Sequence, residues 1–265
     1  MLKNKEIITY FLLGLIFILA ISLRFYNLNN YPVGFHQDEA SLGYNGYSLM
    51  LTGKDDNGNK LPLYIDMFGD NRPSGYHYLT IIPIIFFGLT EFATRLPGAL
   101  FGSLTVFAIF FLVITIFKDK RLGLICAFLL AIAPWHFVLS RASAEAIVAL
   151  FFILSGFSLI IYSLRNQKLL FLFSGTLLVS ISFFFYHTPR IFVPLLFLSL
   201  LLFLFSTLRK YTNNRYKIFL IGSFLFLSVM VFILVFFVKG GIGRYNQVNI
   251  FNFPETKLVD RKSVV

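Results

Sequence analysis

The hydrophobic residues of this chain fall into long runs, not into the alternating pattern of half-buried strands. Each run is close to the ~20 residues that an α-helix needs to cross a hydrocarbon core of ~30 Å. Short polar or charged segments separate the runs. The pattern predicts spanning helices at residues 7–23, 97–117, 122–139, 146–164, 169–186, 191–208 and 218–238. We therefore expect an all-α polytopic membrane protein with about seven transmembrane helices.

The composition indicates that lipid is the solvent for most of the chain. Hydrophobic residues make up 57% and charged residues 13% of the 265 positions, and the mean hydropathy is +0.78. A soluble domain of this size cannot bury so much apolar surface. The net charge of +11 does not indicate a nucleic-acid partner, because the basic residues flank the predicted spans. The single cysteine, Cys126, excludes a disulfide framework and a cysteine-based metal site.

The distribution of basic residues predicts the orientation of the chain, because cytoplasmic loops are rich in lysine and arginine. One further apolar segment, Tyr78–Leu89, would reverse the later loops if it crossed the membrane. It contains Pro83 and reaches only ~18 Å, so we expect an interfacial or re-entrant helix. The first span lacks a small-x-small cleavage site and predicts an uncleaved anchor with a cytoplasmic N-terminus. The predicted cytoplasmic side then holds Lys3, Lys5, Lys118, Lys120, Arg121, Arg165, Lys168, Arg209, Lys210, Arg215 and Lys217.

A polar segment of about seventy residues, 24–95, follows the first span on the predicted outer side and is far longer than the other loops. Within it, the apolar positions of Asp38–Leu51 indicate an amphipathic helix on the membrane surface, and Gly53 is a typical helix end. Asp38 and Glu39 form an adjacent acidic pair in its first turn. Carboxylates at this position either cap the helix and interact favourably with its dipole, or they take part in a reaction with a substrate. The two interpretations stay open.

Other polar residues at the predicted outer face are candidates for substrate contact. His36 precedes the acidic pair and is either a metal ligand or a substrate contact. Arg72 stands before the short apolar segment, where an arginine either holds a lipid phosphate or anchors the chain to the membrane surface. Arg141 and Arg190, in the later outer loops, have the same two interpretations. His187 is either an interfacial residue or a substrate contact.

Five motifs in chain order resemble those of lipid-phosphate-dependent glycosyltransferases of the GT-C fold. The resemblance is strongest to protein O-mannosyltransferases and bacterial aminoarabinose transferases, and it covers residues 1 to about 200. The motifs are Asp38-Glu39 after the first span, Arg72-Pro73 before a short apolar helix, Glu91–Gly98 before the second span, Ser140–Glu145 in the second outer loop, and His187–Arg190 in the third. The resemblance implies a GT-C-like helical bundle in which residues 1–259 form a transmembrane catalytic module.

The resemblance also implies a sugar donor carried on a polyprenyl phosphate, an inverting transfer, and an active site on the outer face of the plasma or inner membrane. By the matching motifs, Asp38 takes the catalytic acidic position and Arg72 the donor-phosphate position. Glu145 falls where the family tends to carry aspartate. These assignments to Asp38 and Arg72 fit the requirements of the reaction, because a hydroxyl acceptor needs a general base and a leaving phosphate needs a cation. Glu39 would be a second acid, orienting the acceptor or, with Asp38, a divalent ion; the cofactor stays open.

The expected partners are a polyprenyl-phosphate sugar, an acceptor that is a glycan, lipid or protein, and the bilayer, with no nucleic acid. The alternative class is a non-enzymatic flippase or transporter of lipid-linked sugars. Transporters place ionisable residues within their spans, whereas the predicted spans here are nearly free of charge between their ends. This difference favours the enzyme.

The last part of the chain carries two further expectations. Residues 239–259 are interpreted as the beginning of an outer segment. Asp260–Val265 can be encoded by GATCGGAAGAGCGTCGTG, a string that matches a widely used sequencing adapter. We expect residues 260–265 to be an artefact and the natural protein to continue.

Overall fold

The structure, a computed structural model, describes residues 2–166, 168–208 and 222. Two short strands lie between the second and third helices, and the remaining elements are helical. The elements are α1 (Leu2–Phe25), α2 (Gln37–Thr52), β1 (Tyr64–Met67), β2 (Asp70–Pro73), α3 (Gly75–Phe87), α4 (Glu91–Phe117), α5 (Lys120–Ile132), α6 (Pro134–Arg141), α7 (Glu145–Asn166), α8 (Leu169–Ser182) and α9 (Pro189–Leu208). The predicted fold class, an all-α polytopic membrane protein, is confirmed.

Within the described residues, three helices are long and apolar enough to cross a membrane: Glu6–Phe25 of α1, α4 and α7. The predicted span at 122–139 is not one straight helix, since α5 and α6 meet at 54° and together count as a fourth candidate. Pro134 causes the break, because proline lacks an N–H and disfavours helical geometry in the preceding residue. That residue, Ala133, has a ψ of 117°, which is not helical.

The later predicted spans are only partly described. Helix α8 ends at Ser182, before the predicted end at 186, and α9 covers the predicted span at 191–208. Apart from residue 222, the predicted span at 218–238 lies outside the described residues, as do the segment 239–259 and residues 260–265. The number of seven spans therefore stays a prediction.

Helix α2 confirms the helix predicted at 38–51. His36 is its N-cap: the ring Nδ1 accepts from the N–H of Asp38 at 3.2 Å, and the Glu39 carboxylate accepts from the N–H of His36 at 3.3 Å. This reciprocal arrangement is a capping box. The helix ends at Gly53, which has φ 67° and so adopts the left-handed conformation that glycine allows without strain.

A two-stranded hairpin, which the sequence analysis did not predict, precedes α3. Strands β1 and β2 are antiparallel, with Met67 opposite Asp70 and Ile65 opposite Arg72. Phe68 and Gly69 connect them with φ of 57° and 84°, and positive φ at both turn residues is typical of a type I′ turn. Burial of Ile65 and Met67 fixes the hairpin on the bundle, in a core cluster with Leu42, Leu49, Tyr76, Val148, Ala149 and Phe185.

Candidate active site

Arg72 lies at the centre of a cluster of carboxylates, where α2 and α7 begin beside the hairpin. Its Nη1 is 3.0 Å from Oδ2 of Asp38 and 3.6 Å from Oε1 of Glu145. Its Nε donates to Oδ2 of Asp70 at 3.0 Å. Asp38 is in the first turn of α2 and Glu145 in the first turn of α7. The fold therefore brings together three of the residues that the sequence analysis selected.

The guanidinium of Arg72 stays charged in this setting. Burial lowers its pKa, but the carboxylates of Glu145, Asp70 and Asp38 outweigh burial and raise the pKa above its usual value. The planar guanidinium presents several N–H donors in a fixed geometry that fits carboxylates and phosphates alike. An incoming phosphate can therefore replace a carboxylate as the partner of Arg72 without a change in its protonation.

The cluster forms the polar part of a cavity of about 510 Å³, a volume typical of small-molecule sites. Pro32, Val33 and Phe35 supply an apolar wall from the segment that precedes α2. The Asp38 side chain is 30% exposed, whereas that of Glu145 is 11% exposed. Of these two carboxylates, Asp38 is therefore the more accessible to a molecule in the cavity.

The neighbouring Glu39 has a different environment from Asp38, because successive residues of a helix point ~100° apart. Its Oε1 and Oε2 accept hydrogen bonds from Nε and Nη2 of Arg95, both at 3.0 Å. The Arg95 side chain is 0% exposed and that of Glu39 is 5% exposed. Ser143 Oγ donates to the same carboxylate at 3.2 Å. Protein donors thus occupy both oxygens of Glu39.

Two arginines fix the path of the segment that forms the apolar wall. Arg95 donates from Nη1 to the carbonyl of Leu28 at 3.2 Å and from Nη2 to that of Gly34 at 2.9 Å. Arg141 donates from Nη2 to the carbonyl of Tyr31 at 3.0 Å and is buried. The structure therefore places Arg141, a predicted substrate-binding residue, against backbone carbonyls of the loop.

Arg24, at the end of α1, interacts with backbone carbonyls in a similar way. Its side chain is fully buried. It donates to the carbonyls of Ala131 and Leu130 at 3.1 and 3.4 Å, and to Nδ1 of His136 at 2.8 Å. These carbonyls belong to the end of α5, where the break before Pro134 leaves them without partners in their own helix.

His187 and Arg190 contact the hairpin that carries Arg72. His187 Nε2 donates to the carbonyl of Asn71 at 2.9 Å, and its Nδ1 is 3.1 Å from Nη1 of Arg190. The Arg190 guanidinium lies 5.1 Å from the ring centroid of Tyr64. Neither residue is among those that line the cavity. His36 does line it, with its side chain 67% exposed and its Nδ1 3.9 Å from Oδ2 of Asp38.

The sequence analysis missed Arg95, Asp70 and Ser143. Arg95 had one available signal, since it is a basic residue near the beginning of a long apolar helix. Ser143 lies within the motif Ser140–Glu145 and Asp70 lies two residues before Arg72, but the role of each depends on contacts between distant loops or on the hairpin, which no local pattern indicates. Within the described part of the chain, no group of three or more His, Cys, Asp or Glu side chains is arranged to hold a metal ion.

Comparison with known proteins gives the family of the chain but does not test the site. No curated protein matches the chain. The family described as dolichyl-phosphate-mannose-protein mannosyltransferase matches residues 71–236, more than half of the sequence. The matched range includes Arg72 and Glu145 and begins after the acidic pair. The chain therefore belongs to the dolichyl-phosphate-mannose-protein mannosyltransferase family, a family of membrane glycosyltransferases whose donor is a sugar linked to a polyprenyl phosphate.

Proposed function

We propose that this protein transfers a sugar from a polyprenyl phosphate to an acceptor hydroxyl, with inversion, at the outer face of the plasma or inner membrane. Asp38 is the general base and Arg72 is the cation that binds the donor phosphate. One observation carries the proposal: Arg72 Nη1 lies 3.0 Å from Asp38 Oδ2 at the wall of a cavity of about 510 Å³. A proton acceptor and a phosphate-binding group thus lie side by side.

Donor binding and base activation are linked in this arrangement. The phosphate competes with Asp38 for the guanidinium of Arg72, since both are anions that accept from the same donors. When Arg72 turns to the phosphate, the Asp38 carboxylate is released from the guanidinium and can accept a hydrogen bond from the acceptor hydroxyl. Asp70 holds Nε of Arg72 at 3.0 Å, so the side chain keeps its anchor on the hairpin.

The transfer is a single displacement. The acceptor oxygen attacks the anomeric carbon while its proton passes to the Asp38 carboxylate. The bond between the anomeric carbon and the phosphate oxygen breaks, and its electron pair stays on the polyprenyl phosphate. Arg72 stabilises that added charge. Attack opposite the leaving group inverts the anomeric centre.

The other candidates receive supporting roles. Glu145, also beside Arg72, orients the guanidinium or the acceptor. Glu39 is a positioning residue, because its carboxylate is held by Arg95. His36 is the substrate contact at the exposed rim of the cavity. Arg141, Arg190 and His187 act indirectly, through the loop and the hairpin that they hold.

Replacement of the base tests the proposal. Membranes that contain the Asp38→Asn variant are supplied with labelled polyprenyl-phosphate sugars and an acceptor extract, and transfer should fall by about 10²–10⁴-fold. The matched control is Asp56→Asn, an exposed aspartate in the turn after α2 that does not line the cavity. Unchanged transfer by Asp38→Asn would refute the role of Asp38 as the general base.

A second measurement tests the stereochemistry. The anomeric configuration of donor and product is compared by NMR, and inversion is expected. Retention would overturn the single displacement. Transbilayer movement of the labelled lipid without transfer to any acceptor would instead support the flippase alternative.

A further inference from the structure

Two cavities lie one after the other along α4, away from the active site. The first has a volume of about 710 Å³ and a mostly apolar lining. The second has a volume of about 550 Å³ and a basic lining. On α4 the lining residues pass from Leu104, Phe107 and Phe111 in the first cavity to Ile114 in the second, and Lys118, the C-cap directly after α4, also lines the second. These residues follow each other at intervals of three and four, so they form one stripe of the helix.

Helix α7 contributes a matching stripe on the other side. Its lining residues pass from Phe151, Ser155 and Ser158 in the apolar cavity to Tyr162 and Arg165 in the basic cavity. The intervals are again four and three residues. Each of the two helices lines both cavities with one face, and we call the two successive cavities together the α4–α7 groove.

The groove ends in basic side chains. Lys118, Lys120 and Arg165 line its basic part. Lys120 pairs with Glu6 at 2.7 Å and lies 5.6 Å from the ring centroid of Tyr10, a residue that lines the apolar part. Arg165 donates from Nη2 to the carbonyl of Ile116 at 2.7 Å, which leaves its charge uncompensated. Among the described residues, no carboxylate forms an ion pair with Lys118 or Arg165. Two positive charges are therefore available to an anion at this end.

We propose that the α4–α7 groove binds an anionic glycerophospholipid, with its phosphate at Lys118 and Arg165 and an acyl chain along the apolar part. The charge of the groove matches such a lipid, since basic pockets between transmembrane helices bind acidic head groups. The length also matches: Leu104 to Lys118 spans ~21 Å of helix, against ~15 Å for the hydrocarbon of one leaflet plus a head group.

This lipid is not the sugar donor. Arg95 and Lys118, near opposite ends of α4, are separated by ~35 Å of helix, so the groove opens at the other end of the bundle from Asp38 and Arg72. By the predicted orientation this end is cytoplasmic. The inference does not rest on the proposed transfer reaction, and its test does not use that reaction.

Native mass spectrometry of the purified protein in detergent tests the charge recognition. Phosphatidylglycerol and phosphatidylcholine with identical acyl chains are titrated separately. We expect tighter binding of phosphatidylglycerol, and a loss of about 25-fold in the double variant Lys118→Gln/Arg165→Gln, at about fivefold for each basic residue. The conservative pair Lys118→Arg/Arg165→Lys should keep the affinity.

A matched control separates the groove from the general charge of this face. Arg121 and Lys168 are exposed basic residues near the same helix ends and do not line the groove. The double variant Arg121→Gln/Lys168→Gln should retain phosphatidylglycerol binding. An equal loss in both glutamine pairs, or equal binding of the two lipids by the unmodified protein, would overturn the proposal.

The acyl-chain part is tested at Gly14, which lines the apolar cavity and where an added Cβ would meet no atom within 4 Å. Gly14→Leu should fill the groove and weaken phosphatidylglycerol binding, while Gly14→Ala should not. Soluble glycerol phosphate should compete poorly, because it lacks the acyl chain. The placement of the acyl chain in the apolar part of the groove would be refuted by either of two results. One is competition by glycerol phosphate as strong as that of the lipid, and the other is unchanged lipid binding by Gly14→Leu.

Discussion

Removal of the Glu39 charge should destabilise the protein more than it alters the chemistry. In Glu39→Gln the guanidinium of Arg95, which is 0% exposed, loses the carboxylate that binds it through two bonds of 3.0 Å. The glutamine amide can accept one of these bonds, but its NH₂ group then faces a second donor. A buried cation is left without its main counter-ion.

The magnitude follows from the contacts that remain. Breaking a buried ion pair by removing one partner costs about 3–5 kcal/mol. Arg95 keeps Glu91 at 3.1 Å and the carbonyls of Leu28 and Gly34, so the lower end, about 3 kcal/mol, is expected. For a domain of this size that free energy lowers Tm by about 6–12 °C.

Thermal unfolding in detergent measures this change. Cys126 is the single cysteine and is only partly exposed, so a thiol-reactive fluorophore reports its exposure on unfolding. Glu91→Gln is the matched control, because it removes the 40% exposed partner of the same arginine and should cost less than about 1 kcal/mol. A Tm for Glu39→Gln within about 2 °C of the unmodified protein, or equal shifts in the two variants, would refute the reasoning.

Three other predictions follow from the site and its supports. Arg72→Lys keeps the charge but loses the planar guanidinium, so the KM for the lipid donor should rise about tenfold in donor titrations. An unchanged KM would contradict the role of Arg72 in binding the donor phosphate. Because the pKa of Arg72 is raised, its contribution to stability is fully present at every pH below the ordinary pKa of arginine and is lost only at still higher pH. The Tm difference between Arg72→Gln and the unmodified protein should therefore be constant from about pH 6 to pH 10, and its disappearance in that range would count against the ion pairs. In Gly46→Ala the new methyl group meets the Thr80 hydroxyl, so we expect a loss of about 1–3 kcal/mol in thermal unfolding against Gly14→Ala, and equal values would contradict the close helix contact.

Part of the site was predictable because its signals are local. Asp38 and Glu39 stand at the beginning of a helix whose end is marked by Gly53, and both limits can be read from the sequence. Arg72 stands out as a basic residue before a short apolar helix. Its convergence with Asp38 and Glu145 was expected only from the family resemblance, since nothing in local sequence relates residues so far apart.

The rest depends on tertiary contacts that leave no local pattern. The two members of the acidic pair differ because Arg95, in another helix, reaches only Glu39. Arg141 was interpreted either as a phosphate ligand or as a membrane anchor, yet its partners include a backbone carbonyl of Tyr31. Carbonyl groups are the same at every residue, so the sequence does not indicate such a partner. The span predicted at 122–139 ignored Pro134, whose missing N–H breaks the helix, and a proline alone does not give the direction of the bend.

The burial of Arg24 has a consequence for the order in which the protein assembles during synthesis. Its acceptors on α5 and α6 follow it by more than a hundred positions in the chain, for example Ala131 with a separation of 107. The ribosome therefore delivers α1 to the membrane well before those acceptors exist, and a bare guanidinium is costly in hydrocarbon. Until α5 and α6 arrive, Arg24 must remain hydrated at the interface, so α1 reaches its final depth only after α5 and α6 have been inserted.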